Sequence, residues 1–354
     1  MIPTRRDLFP LLAGALSVPG TPAPARAEKR QPLPFLRGIN LVGSNRYVAA
    51  DTWPTPQGLD YWLGLGMNAF RITTMWEVHQ KRLMGPLDEK TLAGLVRTVE
   101  HLTSRGAYAI VEFHNSTRYK TSGRDADPGS IVGESAVTIP MFADVWAKMA
   151  EVFRGNDKVV FEPTNEPHDQ STTVLVDTYN AVIAAIRSTG ARNLILLDGN
   201  GYSTAASWVR PYDTSVPNGV AMLNIVDPAD HFAFSPHQYL DDQGGKLETC
   251  VPGSGSRHLG EVTRWARANG RNLLLGEFGG GENATCHAEM ARMIEFVEAN
   301  RDVWFGWLYF GAFAGQRPYV EPDTFWHGID PADFARPVDT GRTAVLKRFL
   351  KPAR

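Results

Sequence analysis

No stretch of 18 or more apolar residues occurs in the 354-residue chain, so no segment is long enough to cross a bilayer as an apolar helix. Neither sign of charge predominates. The 36 basic side chains stand against 38 acidic ones, for −2 at pH 7, and no basic field exists to hold a nucleic-acid backbone. Nucleic acid is thereby excluded as a partner. Only two cysteines are present, Cys250 and Cys286, with no Cys-x-x-Cys spacing, which leaves neither a thiolate zinc site nor a redox dithiol. No Gly-x-Gly-x-x-Gly follows an early apolar run, no His-Glu-x-x-His or His-x-His supplies paired metal ligands, and no Gly-x-Ser-x-Gly offers a serine nucleophile. A dinucleotide fold, a metal centre and a serine hydrolase are each set aside.

What is there begins with an address. Thr4-Arg5-Arg6-Asp7-Leu8-Phe9 precedes a short apolar run, 11–18, and the small-residue pattern Ala25-Arg26-Ala27. Residues 1–27 therefore read as a twin-arginine-type export signal, and residues 28–354 as one catalytic domain in the periplasm or outside the cell. An even cysteine count in an oxidising compartment suggests one disulfide, with two separate buried thiols as the alternative.

From Pro34 onward, short apolar runs alternate with segments of helical period. Strands are expected at 36–42, 69–73, 108–113, 159–162, 194–198, 232–236, 273–276 and 303–310; helices at 88–104, 139–153, 173–188, 256–269, 286–300 and 340–349. Alternation of this kind calls for parallel strands with helical crossovers. Eight such units in about 250 to 400 residues match an α/β fold, a single-domain (β/α)8 TIM barrel, with an open doubly wound sheet as the competing topology.

Polar residues interrupt these runs at equivalent places: Arg71 within the second strand, His114 after the third, Asn165 and Glu166 after the fourth, His237 and Tyr239 after the sixth, and Glu277 after the seventh. In a parallel barrel all of them surround the C-terminal mouth. Taken singly, each has a structural reading: a solvated or capping glutamate, an ion-paired arginine, a satisfied core histidine. Convergence on one rim is what points to a site. Two carboxylates facing each other there suit glycosidic bond cleavage, one protonating the leaving oxygen and the other attacking the anomeric carbon or activating water. Arg71 beside one of them would keep it ionised. The chemistry needs no cofactor and no metal.

Sugars also stack on flat rings. Of nine tryptophans, Trp62, Trp146 and Trp265 fall at helical core spacing, whereas Trp76, Tyr202, Trp208, Trp304, Trp307 and Phe310 are candidates to line a cleft.

At these same residues the chain resembles the glycoside hydrolase family 5 cellulases. Thr164-Asn165-Glu166-Pro167-His168-Asp169 carries the family's Asn-Glu-Pro signature, and Leu275-Gly276-Glu277-Phe278-Gly279-Gly280 is similar to its nucleophile segment. Supporting likenesses are Arg37-Gly38-Ile39-Asn40, Phe70-Arg71-Ile72, Glu112-Phe113-His114-Asn115 and His237-Gln238-Tyr239-Leu240-Asp241. Within the family, Leu197-Asp198-Gly199-Asn200-Gly201-Tyr202 and the Thr249-Cys250 and Thr285-Cys286 pair resemble subfamily 5. The resemblance implies a retaining endo-β-1,4-glucanase with Glu277 as nucleophile and Glu166 as acid/base. It implies further that Asn165 bonds the sugar 2-hydroxyl, that Arg71 and Tyr239 orient the nucleophile, and that His114 and His237 shape the −1 subsite. It also implies a Cys250–Cys286 disulfide. The family places a tryptophan on strand eight as the subsite floor; here Phe310 falls at that position and Trp307 on the other side of the strand. The expected partner is a β-glucan chain, with mannan, mixed-linkage glucan and xyloglucan as alternative substrates. A polysaccharide-binding or assembly accessory is the non-catalytic alternative, and a monomer is the expected state.

Overall fold

Along Ala69–Thr74 side chains alternate between two apolar layers: Phe70 and Ile72 pack outward, Ala69 joins a separate inner cluster, and Arg71 shares its inward face. The computed structural model describes residues 33–43, 52–121, 128–316 and 327–350, and the export signal expected at residues 1–27 lies outside them. The described residues belong to one compact unit, Leu33–Arg354.

Eight strands share the alternation of β2 (Ala69–Thr74): β1 (Leu36–Val42), β3 (Tyr108–Phe113), β4 (Val159–Glu162), β5 (Ile195–Leu197), β6 (Phe232–Phe234), β7 (Leu273–Phe278) and β8 (Trp304–Ala312). Each pairs in parallel with its sequence neighbours, and β8 closes on β1 with Leu36 opposite Gly306, giving a closed barrel. Parallel closure demands crossovers, supplied by helices α1 (Pro56–Gly64), α2 (Glu89–Thr103), α3 (Ile139–Phe153), α4 (Thr172–Ser188), α5 (Leu259–Ala268) and α6 (Ala284–Ala299), while α7 (Gly341–Lys347) follows the last strand. Local chemistry starts them: Thr55, Asp88, Ser171, Asn283 and Thr340 each cap a helix through a side-chain oxygen. The crossover between β5 and β6 instead holds a 3-10 turn, Ala205–Ser207, a single α-turn, Asn218–Ala221, and a second 3-10 turn. Three strands run further than expected: β2 reaches Thr74, β7 reaches Phe278, so Glu277 lies within it, and β8 reaches Ala312.

Every strand contributes to the inner cluster: Leu36, Ala69, Ile110, Val160, Leu196, Ala233, Leu274 and Leu308 are among its members. Two residues further along, the same inward face turns polar. It carries Arg71, Glu112, Glu162, Asp198 and Ser235 on or just past β2 to β6, with Asn40 on β1, and all are fully buried. The barrel therefore has an apolar floor beneath a polar layer. A disulfide, Cys250–Cys286, joins the segment after β6 to the first turn of α6.

Candidate active site

Arg71 is the hub of the polar layer. Its Nη1 donates to Glu277 Oε1 at 2.7 Å and to Asn40 Oδ1 at 2.9 Å, its Nη2 to Asn165 Oδ1 at 2.9 Å, and its Nε to Glu162 Oε2 at 2.5 Å. Glu112 completes the surround at 3.7 Å. The second oxygen of Glu277 accepts the Tyr239 hydroxyl at 2.9 Å.

Glu166 enters from the other side. Past β4 the chain climbs over the rim, held where Asn165 N–H donates to Phe113 O at 2.9 Å and Glu166 N–H to Asp198 Oδ2 at 2.7 Å. Oε1 of Glu166 lies 2.9 Å from His237 Nδ1, and His237 Nδ1 lies 3.7 Å from Glu277 Oε2. Oxygens of the two glutamates fall within 4.8 Å of each other. His237 can stand there because residue 276 is glycine: a Cβ on Gly276 would meet Ser235 Oγ at 2.1 Å and His237 Nε2 at 2.8 Å.

The walls follow from β3 and β8. His114 Nδ1 is 3.1 Å from Glu112 Oε1, and the His114 ring stacks towards Phe310, with centroids 6.3 Å apart and planes 19° from parallel. The structure thus gathers Arg71, His114, Asn165, Glu166, His237, Tyr239, Glu277 and Phe310 at one mouth. It does not bring Trp307 there. Trp307 points outward into the sheet–helix layer, fully buried, with Phe278 edge-on at 6.1 Å. Trp76, Trp208 and Trp304 are likewise fully buried core, so among the tryptophans proposed as cleft candidates none lines the cleft, while Tyr202 is 42% exposed. Sequence reasoning missed the carboxylates beneath the mouth, Glu112, Glu162 and Asp198; their signal was the inward period-2 position two residues above an apolar one. It also missed His327, which packs on Tyr239 at 5.1 Å and carries no local signature.

Over residues 31–312 the sequence matches Cellulase (glycosyl hydrolase family 5). The chain belongs to glycosyl hydrolase family 5. Endo-beta-1,4-glucanase B of Aspergillus niger is 32% identical over 318 residues, which span 88% of this chain and 87% of that one. Among solved structures, an endo-beta-1,4-glucanase of Xanthomonas axonopodis pv. citri superposes with a TM-score of 0.81 at 31% identity, covering 90% of this chain and all of that one. XacCel5A in complex with cellopentaose gives 0.80 at 30% identity, with the same coverage. This family 5 protein is a glycoside hydrolase.

In this family 5 site the charges are not independent. Burial raises the Glu277 carboxyl above the ordinary glutamate range and the charge of Glu166 adds to that, while His237, Arg71 and His114 pull it back. Arg71 therefore moderates the penalty of burying the Glu277 charge without abolishing it. Burial pushes the His237 imidazole down to about 4, so it is neutral near pH 7. Burial also opposes ionisation of Glu162, but the Arg71 guanidinium outweighs it and holds that carboxyl low. Glu112, buried with less help from Arg71, is pushed well up. Two trios place metal-ligating atoms within 4.8 Å of one another: Glu166, His237 and Glu277 at the mouth, and Glu162, Asp198 and His237 below it. A cation at the first would compete with the hydrogen bonds from Arg71 and Tyr239.

Proposed function

We propose that the chain is a retaining endo-β-1,4-glucanase in which Glu277 is the nucleophile and Glu166 the general acid/base. The observation that carries this reading is that one oxygen of Glu166 lies within 4.8 Å of one oxygen of Glu277, an approach that suits the roughly 5–5.5 Å carboxyl separation of retaining enzymes better than the about 6.5–9.5 Å of inverting ones. Their surroundings support the division of labour. Glu277 has a guanidinium on one oxygen and a phenol on the other, partners that favour the anion. Glu166 is the more open of the two, its side chain 24% exposed, and touches a neutral imidazole.

Chemically, Glu277 attacks the anomeric carbon as Glu166 gives its proton to the leaving oxygen, so the glycosidic C–O bond breaks while a glycosyl ester forms. A water then enters, Glu166 takes its proton, and the hydroxyl displaces Glu277. Neutral His237 serves both states of Glu166, donating Nδ1–H to the carboxylate or, as the other tautomer, accepting from the acid. With Asn165 Oδ1 held by Arg71 and its Nδ2 3.5 Å from His114 Nε2, the amide has a second N–H for a sugar hydroxyl, and Phe310 offers the flat floor. The names of the relatives and the cellopentaose complex support a β-1,4-glucan as substrate. The Cys250–Cys286 disulfide supports export by residues 1–27.

Release of reducing ends from carboxymethylcellulose, with product configuration followed by NMR, tests the reading. Glu277→Gln is expected to lower kcat on the order of 10⁴-fold or more, and Glu166→Gln by about 10²–10⁴-fold, with folding intact. An active Glu277→Gln enzyme, or an α-configured first product, refutes it.

A further inference from the structure

Asp198 stands two residues beyond Leu196 on the inward side of β5, is fully buried, and has no part in the steps above. Besides the Glu166 N–H at 2.7 Å on Oδ2, its carbonyl accepts the Tyr179 hydroxyl at 2.8 Å, and Oδ2 lies 3.5 Å from His237 Nε2. Glu166 has φ of 45°, a left-handed backbone that a glutamate keeps only when it is held. Oδ1 of Asp198 meets no N–H or hydroxyl donor among the described residues, and neither does Oε1 of Glu162. Yet an oxygen of each lies within 4.8 Å of the other in the same buried layer. Two ionised carboxylates offer only acceptors, so a bond between them needs a proton of its own. Glu162 and Glu277 bond the Arg71 cation directly, whereas Asp198 forms no ion pair with it.

We propose that Asp198 works as a neutral carboxylic acid, donating its proton to Glu162 while accepting the Glu166 N–H, and so positions the acid/base residue over the nucleophile. The proposal rests on the reading of Glu166 as acid/base. Burial and the neighbouring charge of Glu162 push the Asp198 carboxyl well up, in the same direction. The groups facing it are Glu162 from β4, Arg71 from β2, His237 after β6, Tyr179 from α4 and the Glu166 main chain. A continuous set of bonds then runs from Glu277 through Arg71, Glu162 and Asp198 to Glu166, tying opposite sides of the mouth together.

Asparagine reproduces the pattern of a neutral acid, a carbonyl oxygen for the Glu166 N–H and an N–H for Glu162. Asp198→Asn is expected to keep kcat on carboxymethylcellulose within about fivefold of wild type with the same pH profile, whereas Asp198→Ala lowers kcat about 100-fold at little-changed KM. Difference infrared spectra between wild type and the Asn variant at pH 7 are expected to show the C=O stretch of a protonated buried carboxyl in the wild type. That band is independent of turnover, so it reports on Asp198 even where the assignment of substrate or of Glu166 fails, or where the Ala variant does not fold. Absence of the band, an Asn variant as impaired as the Ala variant, or a fully active Ala variant overturns the proposal.

Discussion

A missing methyl at Gly276 decides where His237 stands, and through it where Glu166 rests. Gly276→Ala puts a Cβ into Ser235 Oγ and His237 Nε2, both buried, so the ring must move. The expected result is a loss of about 1–3 kcal/mol in unfolding free energy with a fall in kcat of about 10²-fold, read by melting and by initial rates. Tyr239 tests the other oxygen network. The Glu277 carboxyl already sits above its ordinary range, and the nucleophilic role proposed for it needs its anion, so the acid limb of kcat/KM is expected to report its ionisation. Tyr239→Phe removes a donor to that anion, which favours the protonated form further. The acid limb is expected to move to higher pH by about one unit; a downward or absent shift contradicts the assigned bond. Glu166, Glu277 and Arg71 stood out as site candidates because charged residues interrupt or directly follow otherwise apolar strands. Asn40, Glu112, Glu162 and Asp198 obey the same rule, but their common inward layer emerges only once the barrel is closed.

At the scale of elements, β3 and β4 were readable to the residue, since their apolar runs end where inward burial meets charge. β7 and β8 were not. Both continue past their apolar stretch because neighbouring strands and Asn40, whose Nδ2 donates to Gly276 O at 2.9 Å, supply hydrogen-bond partners to the backbone at the rim. The same extension settles β8: Phe310 faces the mouth and Trp307 the helices, a choice the sequence alone left open. The disulfide is an element-scale tie, fastening the segment that follows Tyr239 to α6 across 36 residues. Loop-closure entropy for that span is about 4 kcal/mol, so replacing Cys250 and Cys286 by serine together is expected to lower the urea midpoint accordingly. The nine-residue α1 escaped a reading by periodicity, being too short to repeat its pattern.

For the whole molecule, acid is the informative stress. His327 links the segment after β8 to the loop after β6, its Nε2–H donating to Gly245 O at 2.9 Å, and burial lowers it from 6.5 to about 4. The folded state favours the neutral ring, so between pH 6.5 and 4 the unfolded chain binds the proton first. Stability is lost as pH falls through that window, by up to about 3 kcal/mol. His237 acts in the same sense, whereas Asp330, raised to about 6 by burial, acts in the opposite one. Substituting glutamine at His327 keeps a donor without a titrating ring, and its unfolding free energy is expected to vary less steeply between pH 4 and 6.5 than that of wild type. An unchanged slope would remove His327 from the acid response. Overall architecture was the most legible level, because eight apolar runs alternating with segments of helical period leave few topologies; His327 was the least, since its contacts are set by closure alone.

The apolar floor under the polar layer makes the barrel a blind well. On the double displacement proposed above, the second water and any sugar hydroxyl competing with it come through the same opening that the departing half of the substrate must first vacate. Hydrolysis and sugar-to-sugar transfer are then rivals for one doorway, with the balance set by how fast the first product leaves.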